Sequence, residues 1–434
     1  MYGSAALAVW IVACPFLVAQ DVAGPGGLLK RIQSRAKENL ARLPDYTCLE
    51  TIERLRRDAP KRPLEIADTV RVEVAVIGRN ERFAWPEAKR FSDKDLADLI
   101  GRGAVGTGGF ALHVANVFLS DRIDFVYQGE AELEGGRRAI QFDYDAANSP
   151  SRYRIRIGPH EAQVTFFGTF WVHPETLDLI RLEVNAFDIP DKLALDRASE
   201  IMEYGVVAIR DAEFVLPRSS ELSLVGVDGT EIRNRARFSG CRQFGAESTL
   251  LFGDKPPEPE PSQPQTVEPG EVRLPFRTTL ELSLDTEITL EKAVIGEPLR
   301  AILVRPVREG ANVLAPEGSM VFGRITRVEK YDQPMLHYVI SFQFDALRFS
   351  ERQIDFFATL SDSDSAQGLM RQARRLNPTF DRRKKGAKMD ILVNEKQAGA
   401  GVLHWDAKHP FIRRGFRMRW QVLPDPNRNG RAGQ

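Results

Sequence analysis

The sequence predicts two domains: an α+β N-terminal antiparallel half-barrel with covering helices, and an all-β C-terminal domain of barrel or sandwich type. Short runs in which apolar and polar residues alternate, as they do in half-buried strands, recur along most of the chain. Residues 26–43 instead repeat apolar residues at helical spacing. A segment rich in proline, glutamate and glutamine, residues 255–270, lies between two stretches of strand pattern. Because 434 residues exceed one ordinary hydrophobic core, two domains are expected.

The first domain is expected to begin with the helix at 26–43, which Pro44 ends. Strands are then predicted over residues 46–55, 68–77, 82–85, 123–133, 139–144, 153–157, 164–172, 180–184, 205–210, 221–227 and 231–238. Two short helices, 92–100 and 110–119, interrupt them, and we expect both to pack over the concave face of the sheet. The polar segment 188–203 is predicted to be an excursion from the sheet.

The central hairpin of this domain spans residues 164–184, with a His-Pro-Glu-Thr turn between its strands. In the first strand Phe166 and Phe170 fall on one face, whereas Phe167 and Trp171 fall on the other. We therefore expect both faces to be covered, by helices, by another sheet or by a bound apolar ligand.

The second domain is predicted to be all β. Its strands are expected over residues 279–284, 299–304, 320–328, 336–344, 354–360, 402–405 and 415–422. Their short and regular spacing is typical of a small barrel or sandwich. The proline-rich linker predicts that the two domains fold independently and move relative to each other.

The predicted division of the chain follows from these patterns. It comprises a signal peptide (1–23), a half-barrel domain (26–252), a linker (253–273), a β-barrel-like domain (274–424) and a disordered tail (425–434).

The N-terminus predicts export. Residues 5–19 form an apolar run of signal-peptide length, which is too short for a comfortable membrane span. The protein is thus expected in the periplasm or cell envelope; a retained membrane anchor and a buried N-terminal helix remain alternatives. The formal net charge is zero, so nothing global attracts the chain to nucleic acid.

Two cysteines, Cys48 and Cys241, remain if a signal peptide containing Cys14 is removed. In an oxidising compartment they are expected to form one disulfide. The alternative is two separate buried thiols that pack as small apolar residues.

The run GTFWVHPETLDLIRLE at 168–183 resembles the central hairpin of the periplasmic lipoprotein-carrier half-barrel family. The resemblance extends over about residues 26–252. It implies a curved sheet and covering helices that hold an acyl chain between them, although relatives also act as envelope-stress sensors. More loosely, the runs at 295–298, 315–318 and 323–324 resemble periplasmic β-barrel domains of secretion-channel proteins.

The resemblance and the apolar pattern together suggest a ligand site inside the half-barrel. The candidate lining residues are Val74, Leu112, Phe118, Phe166, Phe170 and Trp171. The expected ligand is a lipid or a lipoprotein acyl chain, with no cofactor, metal or catalytic residue. The predicted function is a non-enzymatic envelope protein that binds an apolar ligand, with a second domain for assembly or partner binding. The alternatives are a purely structural or interaction protein without a ligand cavity and, third, a hydrolase.

The glycine run at 101–106 matches the dinucleotide-binding pattern, yet we reject that function. Nucleotide binding needs a strand before the glycines and a parallel βαβ unit around them, whereas here a helical segment precedes and hairpins follow. A connection between two covering helices is expected instead. The six histidines are scattered without metal-binding spacing, which predicts no zinc site.

A basic run near the C-terminus is the one concentrated charge of the sequence. Its core is Arg382, Arg383, Lys384 and Lys385. In an exported protein it predicts contact with an anionic envelope component and peripheral association with a membrane. A solvated loop without a partner is the alternative.

Overall fold

The computed structural model describes residues 24–78, 80–88, 90–92, 94–100, 112–120, 122–150, 153–245, 273–331, 336–363 and 397–425. The predicted signal peptide, the glycine run, nearly all of the predicted linker and tail, and the basic run lie outside these residues. Within the described part, no helix is both long enough and apolar enough to cross a bilayer.

The described helices are α1 (Pro25–Arg42), α2 (Leu96–Ile100), α3 (Leu112–Phe118) and a short 3₁₀ helix at Asp191–Leu193. Proline is well suited to the start of α1, because the first helical amide has no intrahelical acceptor. Leu43, which precedes Pro44, has an extended backbone and ends the helix. The predicted first helix is confirmed to within one residue at each end.

The first domain is built on one large sheet. Its strands are β1 (Tyr46–Arg57), β2 (Glu65–Ile77), β3 (Asn80–Ala84), β4 (Asp124–Leu133), β5 (Arg137–Asp145), β6 (Tyr153–Ile157), β7 (His160–Val172), β8 (Leu179–Phe187), β9 (Leu195–Ile209), β10 (Ala212–Gly226) and β11 (Glu231–Gln243). They lie in the order β3-β2-β1-β11-β10-β9-β8-β7-β5-β4, and β6 pairs with β7. The first strand of the chain is therefore a direct neighbour of β11, the last strand of this sheet.

The pairing register places one row of side chains across the inner, concave face. In order, the row runs through Ile52, Ala236, Ser220, Met202, Leu182, Phe170 and Phe142. Because facing residues in antiparallel strands share a face, this row fixes which side of every strand points inward. The predicted half-barrel sheet is present, although the described chain is mostly β with few helices.

The prediction for residues 188–203 is wrong, because residues 195–203 belong to β9. The inward positions there include Ala198 and Glu200 beside Met202, and Ile201 lies on the outer face. Small and charged residues inside, with an apolar one outside, remove the alternation on which strand prediction depends.

The part of the chain that follows the predicted linker, the predicted second domain, is β-rich in its described residues. Its strands are β12 (Thr279–Leu284), β13 (Ile288–Thr289), β14 (Pro298–Leu303), β15 (Val307–Glu309), β16 (Asn312–Ala315), β17 (Met320–Tyr331), β18 (His337–Phe349), β19 (Arg352–Asp355), β20 (Ala358–Ser363), β21 (Gly401–Asp406), β22 (Phe411–Ile412) and β23 (Arg417–Val422). Its main sheet has the order β19-β18-β17-β14-β12-β23-β20, with β21 beside β18. Barrel closure of this domain stays a prediction.

The expected independent movement of the domains is not supported by the described contacts. Ile295 exchanges two backbone hydrogen bonds of 2.8 Å with β2, donating to Thr69 and accepting from Arg71. Gly296 follows at φ +92°, and a Cβ there would collide with the Arg71 carbonyl and the Trp85 ring. The composition of the linker cannot predict this contact, because the residues that form it lie outside the linker.

Two apolar clusters form the core. The half-barrel cluster lies between the sheet and α1 with α3, and includes Ile32, Val117, Phe118, Phe142, Phe166, Phe170, Leu182 and Met202. The inter-domain cluster joins β1, β2 and α2 to the second domain, and includes Val70, Val72, Val74, Leu96, Leu280, Phe342, Phe344 and Trp420. The two domains therefore share buried apolar surface.

The two interrupting helices pack on different apolar clusters. α3 packs on the half-barrel cluster through Val117 and Phe118. α2 instead lies beside β3, and its Leu96 joins the inter-domain cluster. Arg156 of β6 holds this end of α2 through ion pairs of 2.8 Å to Asp95 and 2.7 Å to Asp98.

Candidate functional site

Phe170 of β7 is fully buried at the centre of the half-barrel cluster. Its ring stacks on Phe142 of β5, with centroids 5.3 Å apart and the planes 5° from parallel. Phe118 of α3 meets the Phe170 ring edge-on, with a centroid distance of 4.9 Å. Such pairs stabilise beyond the area they bury. The inner face of the sheet is thus an apolar floor, and α3 rests on it.

α1 contacts α3 and covers the same floor. Ile32 is its fully buried anchor, at 1% exposure. The partly buried residues of α1 that pack beside it are Leu28, Leu29, Ala36 and Leu40. This cover is mostly apolar, so an apolar ligand could replace the contacts it makes without leaving polar groups unpaired.

Two polar tethers attach α1 to the sheet. Arg35 Nε donates to Asp178 Oδ1 at 2.7 Å, and Asp178 follows the turn between β7 and β8. Asn39 Nδ2 donates to the carbonyl of Val215 at 3.0 Å, and the Val215 amide donates back to Asn39 Oδ1 at 3.3 Å. Both tethers are only partly buried, so water can replace them when the helix moves.

A cavity of about 30 Å³ remains between α1 and the sheet. Ile32, Val114, Phe118, Val172 and Tyr204 contribute to its lining. Its volume suits one water molecule and is far below that of an acyl chain. A ligand of that kind therefore requires α1 to move away from the floor.

The structure brings three of the predicted lining residues together. Phe118, Phe166 and Phe170 are all buried in the half-barrel cluster. Val74 is buried in the inter-domain cluster instead. Leu112 belongs to α3, but its side chain lies outside the described atoms. These residues therefore do not form one lining.

The prediction that Trp171 lines the ligand site is wrong. Trp171 lies on the outer face, where its Nε1 donates to Gln141 at 3.2 Å and the guanidinium of Arg181 lies 5.3 Å from its ring. Phe167 on the same face is 44% exposed. The expectation that both faces must be covered is thus wrong, because neighbouring polar side chains shield Trp171 and solvent reaches Phe167.

Buried polar side chains lie on the inner face at the border between the two clusters. This polar band comprises Glu50, Arg54, His113, Tyr153, Glu200 and Asn234, all at most 8% exposed. Nε and Nη2 of Arg54 each donate a hydrogen bond of 2.6 Å to the carboxylate of Asp68. A buried pair of this geometry satisfies both charges.

Glu200 of β9 is engaged by two neighbours. The hydroxyl of Tyr153 donates to Glu200 Oε2 at 3.2 Å, and His113 Nε2 lies 3.2 Å from the same oxygen. Burial, together with Glu200, raises the pKa of Tyr153 well above its usual value, so its hydroxyl keeps its proton. His113 belongs to α3, so the covering helix comes within 3.2 Å of this carboxylate, although His113 Nε2 forms no hydrogen bond with it.

Glu50 of β1 differs from the other members of the band. Its register neighbours are Val72 and Phe238, both apolar. Burial, reinforced by the carboxylates of Glu81 and Glu200, raises the pKa of Glu50 to about 8. The side chain is thus mostly a neutral acid at pH 7.

We expect Glu50→Gln to stabilise the protein at high pH. A carboxyl whose pKa rises from 4.5 to about 8 on folding binds more protons in the native state, so it costs stability as pH rises through that window. The variant should gain about 3 kcal/mol over wild type between pH 5 and pH 8. Urea unfolding at both values measures this. Glu53→Gln, which removes a carboxyl from the outer face of the same strand, is the control.

Sequence reasoning missed the polar band. Its signal was present, since Glu50 and Glu200 occupy inward positions between Cys48 and Ile52 and between Ala198 and Met202. A single glutamate inside an alternating run usually marks an irregularity on a solvated face, so the pattern alone did not favour a buried site. The assembled sheet was needed to bring the strands together.

A second concave region lies between the first domain and the second. It has a volume of about 740 Å³, and Pro86 and Glu87 line it together with β17 and β18 of the second domain. In its lining Arg324 pairs with Asp345 at 2.7 Å, and Arg348 donates to the neutral side chain of Gln353 at 2.8 Å. These contacts do not favour one ligand chemistry. Within the described residues, no group of three or more His, Cys, Asp or Glu side chains is placed to hold a metal ion.

Two solved structures are similar to this chain. A LolA superfamily protein from Nitrosomonas europaea is 9% identical with a TM-score of 0.26, and the match covers 50% of this chain and 93% of that protein. A DUF1329 family protein from Desulfovibrio piger is 14% identical with a TM-score of 0.28, and the match covers 51% of this chain and 95% of that protein. No protein-family model and no curated protein matches the chain.

Proposed function

We propose that the protein is a non-enzymatic, exported envelope protein whose half-barrel binds a lipid-like ligand under α1. The observation that carries this proposal is the apolar floor around Phe170, covered by a helix with an apolar face and two solvent-accessible tethers. Because those tethers are weak in water, displacing α1 costs mainly apolar contacts, which an apolar ligand restores. A lipid or a lipoprotein acyl chain has this chemistry.

Export is supported by the disulfide between Cys48 and Cys241, a bond typical of oxidising compartments. The apolar run at 5–19 supports it independently. In this proposal the second domain serves assembly or partner binding, and the basic run with Arg382 and Lys385 contacts an anionic envelope component.

One observation favours the alternative of a structural protein. The cavity under α1 holds only about 30 Å³, so the floor is already filled by the protein's own side chains. The two functions differ in what happens when α1 is loosened. A carrier then binds ligand more tightly, because less free energy is needed to open it. A structural protein only loses stability.

Removing both tethers with Arg35→Ala and Asn39→Ala is therefore expected to strengthen binding of N-phenyl-1-naphthylamine, a neutral apolar fluorophore, by about three- to tenfold. Fluorescence titration of the full chain measures the dissociation constant, and native mass spectrometry counts bound molecules. Arg31→Ala on the exposed side of α1 is the matched control and should bind as the wild type does. If no variant binds the fluorophore, the carrier function is wrong and the structural alternative holds.

A further inference from the structure

The large sheet of the first domain ends in two edge strands that differ in how they are protected. β3 at one edge has five residues, and its Phe83 and Ala84 are buried. Ser92 lies against it and donates its amide to the Phe83 carbonyl at 2.8 Å. β4 at the other edge has ten residues and pairs only with β5 among the described strands. The amides and carbonyls on its free side thus have no strand partner in the described part of the chain, and such an edge is a template for a further strand.

The N-terminal half of β4 carries apolar side chains that the sheet leaves partly uncovered. Val126 is 57% exposed on the outer face, and Tyr127 is 41% exposed on the concave face. The Tyr127 ring nevertheless packs on Phe142, with a centroid distance of 5.2 Å, so it extends the apolar floor to the rim of the sheet. A strand added at this edge would cover the exposed parts of both side chains.

The C-terminal half of β4 is acidic, and the strand contains no Lys or Arg. Glu130 faces Ile140 of the half-barrel cluster, so the exposed side chains of Glu130 and Glu132 lie on the concave side of the strand. Glu130 pairs with Arg138 of β5 at 2.9 Å, an exposed ion pair that contributes little in water. Basic side chains of an incoming strand would therefore find both carboxylates accessible.

Two features select the kind of partner. If two copies of β4 paired, neither strand would supply a cation for the acidic side chains of the other, and the repulsion opposes such a dimer. Gly129, at φ +105°, lies where the register with β5 shifts, and this bulge bends β4 between its apolar and acidic halves. A long flat strand does not follow such a bend, so a short extended segment fits the edge best.

We propose that β4 is a docking edge for a short, basic and apolar extended segment of a partner protein, which adds to the sheet as a further strand. The backbone of this segment hydrogen-bonds to the free side of β4. On the concave face, its basic side chains lie opposite Glu130 and Glu132, and its apolar side chains lie opposite Tyr127. This interaction does not depend on a ligand under α1.

The test uses the full chain and synthetic eight-residue peptides. The first peptide has threonine at every second position, with two lysines and then two valines at the positions between. The second has glutamate in place of lysine. Each is made in both chain directions, because a sheet edge accepts parallel and antiparallel strands. At low ionic strength, fluorescence anisotropy should show the lysine peptide, in at least one direction, binding at least about tenfold more tightly than the glutamate peptide.

Glu130→Lys/Glu132→Lys should invert this preference, because the charge at the edge changes sign. The matched control, Glu38→Lys/Glu213→Lys, changes the net charge by the same amount at exposed positions of α1 and β10, and it should keep the wild-type preference. An unchanged preference in the β4 variant, or the same inversion in the control, would show that the peptides respond to net charge and would overturn the proposal.

Hydrogen exchange of the wild-type chain locates the contact without any substitution. The bound lysine peptide should slow the exchange of amides within Asp124–Leu133. Protection of another segment in its place, or no binding of either peptide, would reject the docking edge. Protection of β4 that grows with protein concentration in the absence of peptide would assign the edge to a second copy of the chain and overturn the basic partner.

Discussion

Phe170→Ala is expected to destabilise the protein by about 3–5 kcal/mol, the range for removal of a buried phenyl ring. Phe170 is fully buried, stacks on Phe142 at 5.3 Å and supports Phe118 of the covering helix at 4.9 Å. Its removal leaves a cavity that neighbouring strands cannot fill without breaking their register. Urea unfolding followed by tryptophan fluorescence measures the loss.

Phe167→Ala is the matched control for this variant. It removes the same ring from the same strand, but on the outer face, where Phe167 is 44% exposed. We expect a loss below about 1 kcal/mol, as for other surface changes away from the core. Equal losses in the two variants would show that the inner face is not the core of this domain.

The same pair of residues shows what the sequence could predict. Alternation placed Phe166 and Phe170 on one face and Phe167 and Trp171 on the other, and the structure confirms both assignments. Alternation does not say which face points inward or how an outward aromatic is accommodated. For Trp171 the answer lies in Gln141 and Arg181 on the two neighbouring strands. The order of strands in the sheet decides which side chains lie beside Trp171, and that order depends on pairing between segments distant in sequence.

Long-range pairing also explains the other gaps. Glu50 and Glu200 are 150 residues apart in sequence, yet both are buried on the inner face of one sheet. The contact between Ile295 and β2 likewise joins segments on opposite sides of the linker. Helix α1 was predictable because its signals are local in sequence. Its apolar residues recur at helical spacing, Pro25 precedes them and Pro44 follows them.

The candidate site therefore combines a predictable part with one that only the fold reveals. The apolar floor follows from aromatic residues at strand spacing, so Phe118, Phe166 and Phe170 could be proposed beforehand. The polar band depends on which inward polar side chains the assembled strands bring together. That is a property of the assembled sheet, because the pairing of Arg54 with Asp68 follows from the register of β1 and β2.

Loss of the disulfide between Cys48 and Cys241 is expected to have the largest effect on stability. The bond joins β1 to β11, its cysteines lie 193 residues apart in sequence, and their Cα atoms are 4.1 Å apart. The predicted pairing is thus confirmed, and the adjacency of β1 and β11 explains it. Closing so long a loop lowers the conformational entropy of the unfolded chain, which stabilises the native state by about 5 kcal/mol. This is an upper value, because residual structure in unfolded chains reduces it.

We expect wild-type protein in strong reductant, and the Cys48→Ala/Cys241→Ala variant in any buffer, to unfold at clearly lower urea concentrations than oxidised wild type. The variant should not respond to reductant, which separates loss of the bond from other effects of the reagent. In a Cys14→Ser background, thiol titration of the unfolded, unreduced chain should find no free thiol, whereas two would contradict the bond. Because the disulfide joins β1 to β11 in the sheet that carries the apolar floor, the same reduction should lower binding of apolar ligands. Stability and binding should fall together, since β1 and β11 close the inner face on which both depend.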